Sequence, residues 1–304
     1  MNARFRGSWV ALTTPFSGGS LDLGAWRASL GRQREAGSDG LVVAGTTGEG
    51  ATLSDDERAE LYAEAERLGL PWLASVGVND TLRTIQLAEH ARVRGAHGLL
   101  VATPAYSRPS QRGLLSHFEA LARATPLPIV LYNVPARTAV DLEPQTAVAL
   151  ARQFENIVAI KEASGDPSRI ATLRGELDVL WGDDRTLASA LDRGAHGAIS
   201  VLGNLFPALL GTILAETDAA ARRELLARLA PFDDCLYEET NPGPLKACLG
   251  ALGHQVDELR LPLVSVEPKL RRKLATLLVS QKPLFLFEAE LARGRSSRSD
   301  ELTV

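Results

Sequence analysis

Lysine is rare in this 304-residue chain: five of its 33 basic side chains are lysine and the rest are arginine. They stand at Lys161, Lys246, Lys269, Lys273 and Lys282, so Lys161 is alone in the first 245 residues. Arginine keeps its proton at ordinary pH, whereas a lysine amine can release it and attack a carbonyl carbon. Lys161 falls inside Ile157-Val158-Ala159-Ile160-Lys161-Glu162-Ala163, which reads as a buried strand. A nucleophile fits that setting, and so does a strand-end lysine in a structural ion pair. The local sequence leaves both open.

Other polar groups recur where apolar runs end. Thr46 and Thr47 sit between Gly45 and Gly48, a pattern that suits an anion nest or a plain hydroxyl turn. Two of the four tyrosines, Tyr106 and Tyr132, follow apolar runs, and Arg137 comes shortly after Tyr132. Each has an ordinary reading, as a packed ring with a wet hydroxyl or as a solvated charge. Gly182-Asp183-Asp184 ends another run, where the aspartates suit a helix N-cap or, less readily, a metal. Together the set suits a carbonyl substrate that bears a carboxylate. The amine attacks, hydroxyls relay protons, and the arginine grips the carboxylate. The five histidines show no metal-ligand spacing, so a metal-free mechanism is expected.

The elements that must position these groups follow from periodicity. Eight apolar runs bounded by turn residues occupy 9–16, 40–47, 72–78, 98–106, 129–135, 157–164, 179–184 and 198–204. Segments of helical period separate them, one opened by the capping box Ser54-Asp55-Asp56-Glu57. Strands alternating with helices imply parallel βαβ units, and eight units imply an α/β fold of the closed (β/α)8 TIM-barrel type. In such barrels functional groups lie at the C-terminal ends of the strands, which is where these fall. Strand signals stop near residue 206, and 209–229, 245–252 and 269–279 read as helices. The expected division is a catalytic barrel over 1–230 and a small C-terminal helical appendage over 231–304, with a frayed polar tail. Net charge of −4 with scattered signs leaves no footprint for nucleic acid. No apolar run reaches membrane-spanning length, and residues 1–9 lack the apolar core of a secretion signal. Two cysteines, Cys235 and Cys248, point to reduced thiols in a cytoplasmic protein.

The motifs Gly45-Thr46-Thr47-Gly48-Glu49, Thr103-Pro104-Ala105-Tyr106, Tyr132-Asn133-Val134-Pro135-Ala136-Arg137-Thr138, Ile160-Lys161-Glu162-Ala163 and Asn241-Pro242-Gly243-Pro244-Leu245-Lys246 occur in this order. In this the chain resembles the pyruvate-dependent Schiff-base lysine aldolases, and among them the dihydrodipicolinate synthase family, from about residue 9 to about residue 262. The resemblance implies that Lys161 forms a Schiff base with pyruvate and that the derived enamine adds to L-aspartate 4-semialdehyde, giving 4-hydroxy-tetrahydrodipicolinate for lysine and diaminopimelate biosynthesis. It implies Tyr132 as the central acid-base residue, with Thr46 and Tyr106 completing a proton relay. Tyr106 would come from a neighbouring subunit, so a homo-oligomer is implied, at least a dimer and commonly a tetramer. Thr47, Ile199 and Gly182 would surround the pyruvate, and Arg137 would bind the semialdehyde carboxylate. No cofactor beyond the covalent substrate is implied. Relatives acting on sialic acid or sugar-derived keto acids usually lack the Val-Pro-x-Arg-Thr that follows Tyr132. Those aldolases, and a keto-acid sensor without turnover, are the alternatives.

Some members of this family are inhibited by lysine near the positions of Gly50, Ala51, Asp55, Arg58, Asn79, Arg83 and Ala105. Sensitive members resemble one another in carrying a glutamate at position 83 and an aromatic at 105. Arg83 would repel the ammonium of lysine and Ala105 removes an aromatic wall, so weak or absent feedback is expected.

Overall fold

The computed structural model describes residues 5–301. The outer edges of the two expected regions, 1–4 and 302–304, lie outside the described residues. Ten strands form: β1 (Gly7–Ala11), β2 (Phe16–Ser17), β3 (Ser20–Leu21), β4 (Gly40–Val43), β5 (Trp72–Ser75), β6 (Gly98–Ala102), β7 (Ile129–Asn133), β8 (Ile157–Glu162), β9 (Asp178–Trp181) and β10 (Gly197–Ser200). β2 and β3 make a small antiparallel hairpin. The other eight close into a parallel barrel, with β1 paired to both β10 and β4. Each of the eight expected apolar runs overlaps one of the barrel strands, with β1, β9 and β10 beginning one or two residues ahead of their runs.

Local chemistry sets where each helix starts and stops. Ser54, Asp80 and Ser110 cap the helices Asp55–Leu68, Thr81–Arg92 and Gln111–Ala124, and Ser54 does so in a full capping box with Glu57. Three similar connections, Gly37-Ser38-Asp39-Gly40, Gly95-Ala96-His97-Gly98 and Gly194-Ala195-His196-Gly197, follow helices with a glycine in the left-handed region, at φ of 72° at Gly37, 87° at Gly95 and 89° at Gly194.

The barrel interior is filled by Trp9, Ala11, Val42, Leu73, Leu100, Val130, Ala159, Leu180 and Ile199. A second apolar layer packs the outer faces of the strands against the helices. A third cluster joins Phe206, Leu209 and Ile213 to Phe232, Leu236, Leu245 and Leu270 of the C-terminal helices. The stretch expected as one helix over 209–229 is two, Pro207–Ala215 and Ala219–Ala227. The break comes because Glu216 leaves helical geometry and Asp218 caps a new helix through Ala220 and Ala221. The last helix, Lys282–Glu301, spans the polar residues 293–300.

That last helix is fastened by one buried carboxylate. Helix Pro207–Ala215 has Phe206 at its N-cap, which offers no side-chain acceptor. Glu288 fills the gap, accepting hydrogen bonds from Ala208 N and Leu209 N at 2.7 Å each. Orphan helix donors are thus satisfied by one residue 80 and 79 positions away. Glu288→Ala leaves two buried N–H groups unpaired and is expected to cost about 1–3 kcal/mol in urea unfolding. An unchanged unfolding midpoint would show that the C-terminal helix contributes nothing here.

Candidate active site

Strand alternation alone would not send Lys161 into the barrel. Ile157 and Ile160 both pack in the outer layer, although they are three residues apart. Strict alternation forbids this. The register supplies the cause: Ile129 pairs with Ile157, but Val130 pairs with Ala159, so Val158 is an extra residue. This bulge resets the phase. Ala159 and Lys161 then point inward, while Glu162 points outward beside Asn133 of β7. Lys161 pairs in register with Tyr132, and its Nζ lies 4.4 Å from the centre of that ring. Lys161 is 6 % exposed, and among the described residues no carboxylate pairs with it. The ion-pair reading left open by the sequence is therefore not what the fold builds.

Gly182 is required by the same amine. A Cβ at this position would sit 2.7 Å from Lys161 Cε and 2.9 Å from the Ala163 Cβ. The absence of a side chain gives the lysine stem its channel.

Behind the two strands, a partly buried network fixes their ends. Asn133 Nδ2 donates to Glu162 Oε1 at 3.1 Å and to Asp141 Oδ1 at 2.8 Å. Arg169 Nε donates to Glu162 Oε2 at 3.0 Å, and its Nη1 donates to Asp141 Oδ2 at 3.0 Å. Glu162 is fully buried, and the guanidinium is what balances its charge. Asn133 and Glu162 are the chain neighbours of Tyr132 and Lys161.

A cavity of about 190 Å³ opens above Lys161. Thr46, Thr47, Tyr132, Arg137 and Gly182 line it with Lys161, so six of the eight residues singled out in the sequence converge. Ile199 does not line it; its side chain is in the barrel interior. Tyr106 does not line it either. It is 91 % exposed, in the left-handed region at φ 67°, with its N–H donating to Thr138 O at 3.2 Å. Within one chain, then, Tyr106 stands apart from the amine. A second cavity of about 300 Å³ shares Gly45, Thr46, Tyr132, Arg137 and Asn241, and extends past Glu49, Gly50, Ala51 and Arg58.

Further lining residues were not evident from sequence spacing. Asn241 reaches across from the C-terminal region, its Nδ2 donating to Thr47 Oγ1 at 2.9 Å. Arg185 binds Asp183 through Nε and Nη2, at 3.1 and 3.2 Å, and lies over the Tyr237 ring at 4.4 Å. Burial and the carboxylates of Asp184, Asp183 and Asp233 push the Tyr237 hydroxyl well above its usual range. Burial, with Asp184 and Asp183, pushes Asp233 up to about 8. Tyr237 is therefore a donor and not a base. Among the described residues no group of three or more His, Cys, Asp or Glu side chains could hold a metal ion.

A closed parallel barrel with a lysine-centred cavity at the C-terminal ends of its strands is the architecture of an α/β-barrel enzyme. The chain belongs to the Dihydrodipicolinate synthetase family, whose family model matches residues 4–281. It is 43% identical over 281 residues to the 4-hydroxy-tetrahydrodipicolinate synthase of Chelativorans sp. (strain BNC1), covering 89% of this chain and 96% of that one. It is 40% identical over 280 residues to the synthase of the same name from Syntrophus aciditrophicus (strain SB), covering 89% and 96%. The solved 4-hydroxy-tetrahydrodipicolinate synthase of Methylacidiphilum fumariolicum SolV superposes with a TM-score of 0.91 at 38% identity, over 95% of this chain and 99% of the other.

Gly182→Ala tests the fit around the amine. Displacing Lys161 Cε by about 1 Å should lower kcat/KM about 100-fold while the protein stays folded. Near-normal activity in this variant would mean that the lysine stem does not need the space.

Proposed function

We propose that this enzyme condenses pyruvate with L-aspartate 4-semialdehyde through a Schiff base on Lys161. The observation that carries the reading is a buried amine with no counter-ion among the described residues, set over Tyr132 in a cavity with polar lining. The curated relatives that share most of the chain's length carry the name of this synthase, which supports the same activity.

The steps follow from what each group can do. Lys161 Nζ attacks C2 of pyruvate, and the carbinolamine loses water to give an imine. Tyr132 stands beside the amine and moves protons in both steps, with Thr46 next along the cavity wall. Tyr106 of a neighbouring copy completes the relay; its full exposure in one chain suits insertion elsewhere. Loss of a methyl proton from the imine gives an enamine. Its carbon adds to the aldehyde, whose oxygen remains as the 4-hydroxyl of the product. The substrate amino group then attacks the imine carbon and displaces Lys161, which regenerates the free amine. Thr47 holds the pyruvate carboxylate, with the Ile199 backbone beside it, and Arg137 binds the semialdehyde carboxylate at the mouth. The covalent substrate itself carries the chemistry, and neither metal nor cofactor is invoked. The functional unit is a homo-oligomer, a dimer or a tetramer, and its place is cytoplasmic lysine and diaminopimelate biosynthesis. Among the described residues no helix is long and apolar enough to cross a membrane.

Borohydride reduction in the presence of pyruvate should leave an adduct on the peptide that contains Lys161. Lys161→Ala should abolish it. Arg137→Ala should keep the adduct and raise the KM for aspartate semialdehyde by about 10- to 100-fold, the effect of losing a charge-assisted bond. An adduct on another lysine, or none on folded wild-type protein, would overturn the reading.

Feedback by lysine is expected to be weak or absent. Arg83 forms an ion pair with Asp55, so a guanidinium stands at the position where lysine-sensitive members carry a glutamate. The side chain of Asn79 is already occupied, since its Oδ1 accepts from Ala105 N at 2.9 Å. Steady-state rates should be the same with and without low-millimolar lysine; marked inhibition would refute this.

A further inference from the structure

The Asn241-to-Lys246 motif has no part in the chemistry above, yet it touches the Thr46-Thr47 loop twice. Asn241 Nδ2 donates to Thr47 Oγ1 at 2.9 Å, across 194 positions of sequence. Five residues further on, Lys246 forms an ion pair with Glu49, and both side chains are fully buried. Lys246 Nζ also donates to Glu258 O at 2.8 Å, and Arg260 N donates to Glu49 Oε2 at 2.9 Å. The loop is thus held at two points two residues apart.

The first of these contacts decides a proton. A threonine hydroxyl has one proton to donate and two lone pairs to offer. With one lone pair taken by Asn241 Nδ2, the Thr47 proton points away from that amide, whose own Oδ1 is buried and has no hydrogen-bond partner among the described residues. Among the described residues no acceptor takes it. Thr47 is 3 % exposed and lines the cavity with Lys161, so its free donor direction leads to bound ligand. Asn241 is itself 9 % exposed, and its main-chain carbonyl accepts from Arg137 Nη2 at 3.5 Å. One residue therefore stands between the groups assigned to the two substrate carboxylates, with its side chain on Thr47 and its backbone on Arg137.

We propose that Asn241 is a positioning residue of the keto-acid carboxylate site: its amide fixes the Thr47 hydroxyl as a donor toward the carboxylate, while the buried Glu49–Lys246 pair keeps the two segments in register. This rests on the assignment of Thr47 to pyruvate. The side chain acts on the pyruvate end alone, because the contact with Arg137 is made by the main chain and survives substitution.

Asn241→Asp makes the sharpest test. A carboxylate cannot donate to Thr47 but accepts from it, which turns the hydroxyl proton away from the substrate. The KM for pyruvate should rise about 10- to 100-fold, matching Thr47→Val. The KM for aspartate semialdehyde should stay within about threefold. In the Thr47→Val background Asn241→Asp should add nothing, as expected when one residue acts through the other. Asn241→Ala, which adds no charge, should show a smaller rise that is also absent in that background. Rises that multiply in the double variant, or that affect both substrates equally, would overturn the assignment. Borohydride trapping on wild-type protein separates the two levels. No pyruvate adduct there removes the functional reading and this proposal with it. An adduct on wild type combined with multiplying effects removes only the role of Asn241.

Discussion

Everything at the mouth of this barrel depends on which way β8 faces. Adjacent residues on a strand point to opposite sides, so Lys161 and Glu162 must be divided between the barrel interior and the outer shell. The bulge at Val158 decides the division. With it, the amine enters the cavity, where no carboxylate among the described residues pairs with it, and the carboxylate goes outward to Asn133 and Arg169. Without it, the two would exchange places. Glu162 would then sit against the Tyr132 ring, and Lys161 would face Arg169, a like charge in a buried site. The phase of one strand separates nucleophile from counter-ion, and so leaves the amine uncommitted.

That separation has to be held stiffly, because reacting atoms in a covalent sequence tolerate little misplacement. Two devices do this from opposite sides. The Asn133–Glu162–Arg169–Asp141 network ties the ends of β7 and β8 from outside the barrel. Inside, the Lys161 stem packs against the Gly182 backbone in the space that a side chain there would fill. The opposite wall of the cavity is held by a buried ion pair, Glu49 with Lys246. Such a pair adds little net stability, but removal of either partner strands a charge in the interior at a cost of about 3–5 kcal/mol. Its value lies in fixing one geometry for the loop that carries Thr46 and Thr47.

The parts legible in the sequence are those with local causes. Apolar runs bounded by turn residues mark all eight barrel strands, the Ser54 box marks a helix start, and the scarcity of lysine singles out Lys161. The rule that barrel chemistry sits at strand ends then gathers Thr46, Tyr132, Arg137 and Gly182, and the cavity contains all four. What the sequence hides is non-local. The Val158 bulge is a matter of pairing with β7, and nothing in Ile157-Val158-Ala159 announces it. The link from Asn241 to Thr47 spans most of the chain. Glu288, in an apolar helix segment, reads as a surface charge until the helix it caps is seen. Tyr237 and Asp233 gain their raised proton affinities only from carboxylates brought close by folding.

The same non-local contacts show what the C-terminal helices are for. They lie outside the barrel and add no strand to it, and a division near residue 230 is natural for the path of the chain. The cavity does not respect that division. Asn241 and Tyr237 line it, Lys246 and Arg260 hold its Thr46-Thr47 loop, and Phe232 packs against Phe206 below. A barrel of eight short strands presents its loops to solvent on one face, and loops there are mobile unless something braces them. The C-terminal region is that brace on one side of the mouth. It supplies buried partners to a loop that could not satisfy a carboxylate such as Glu49 by itself.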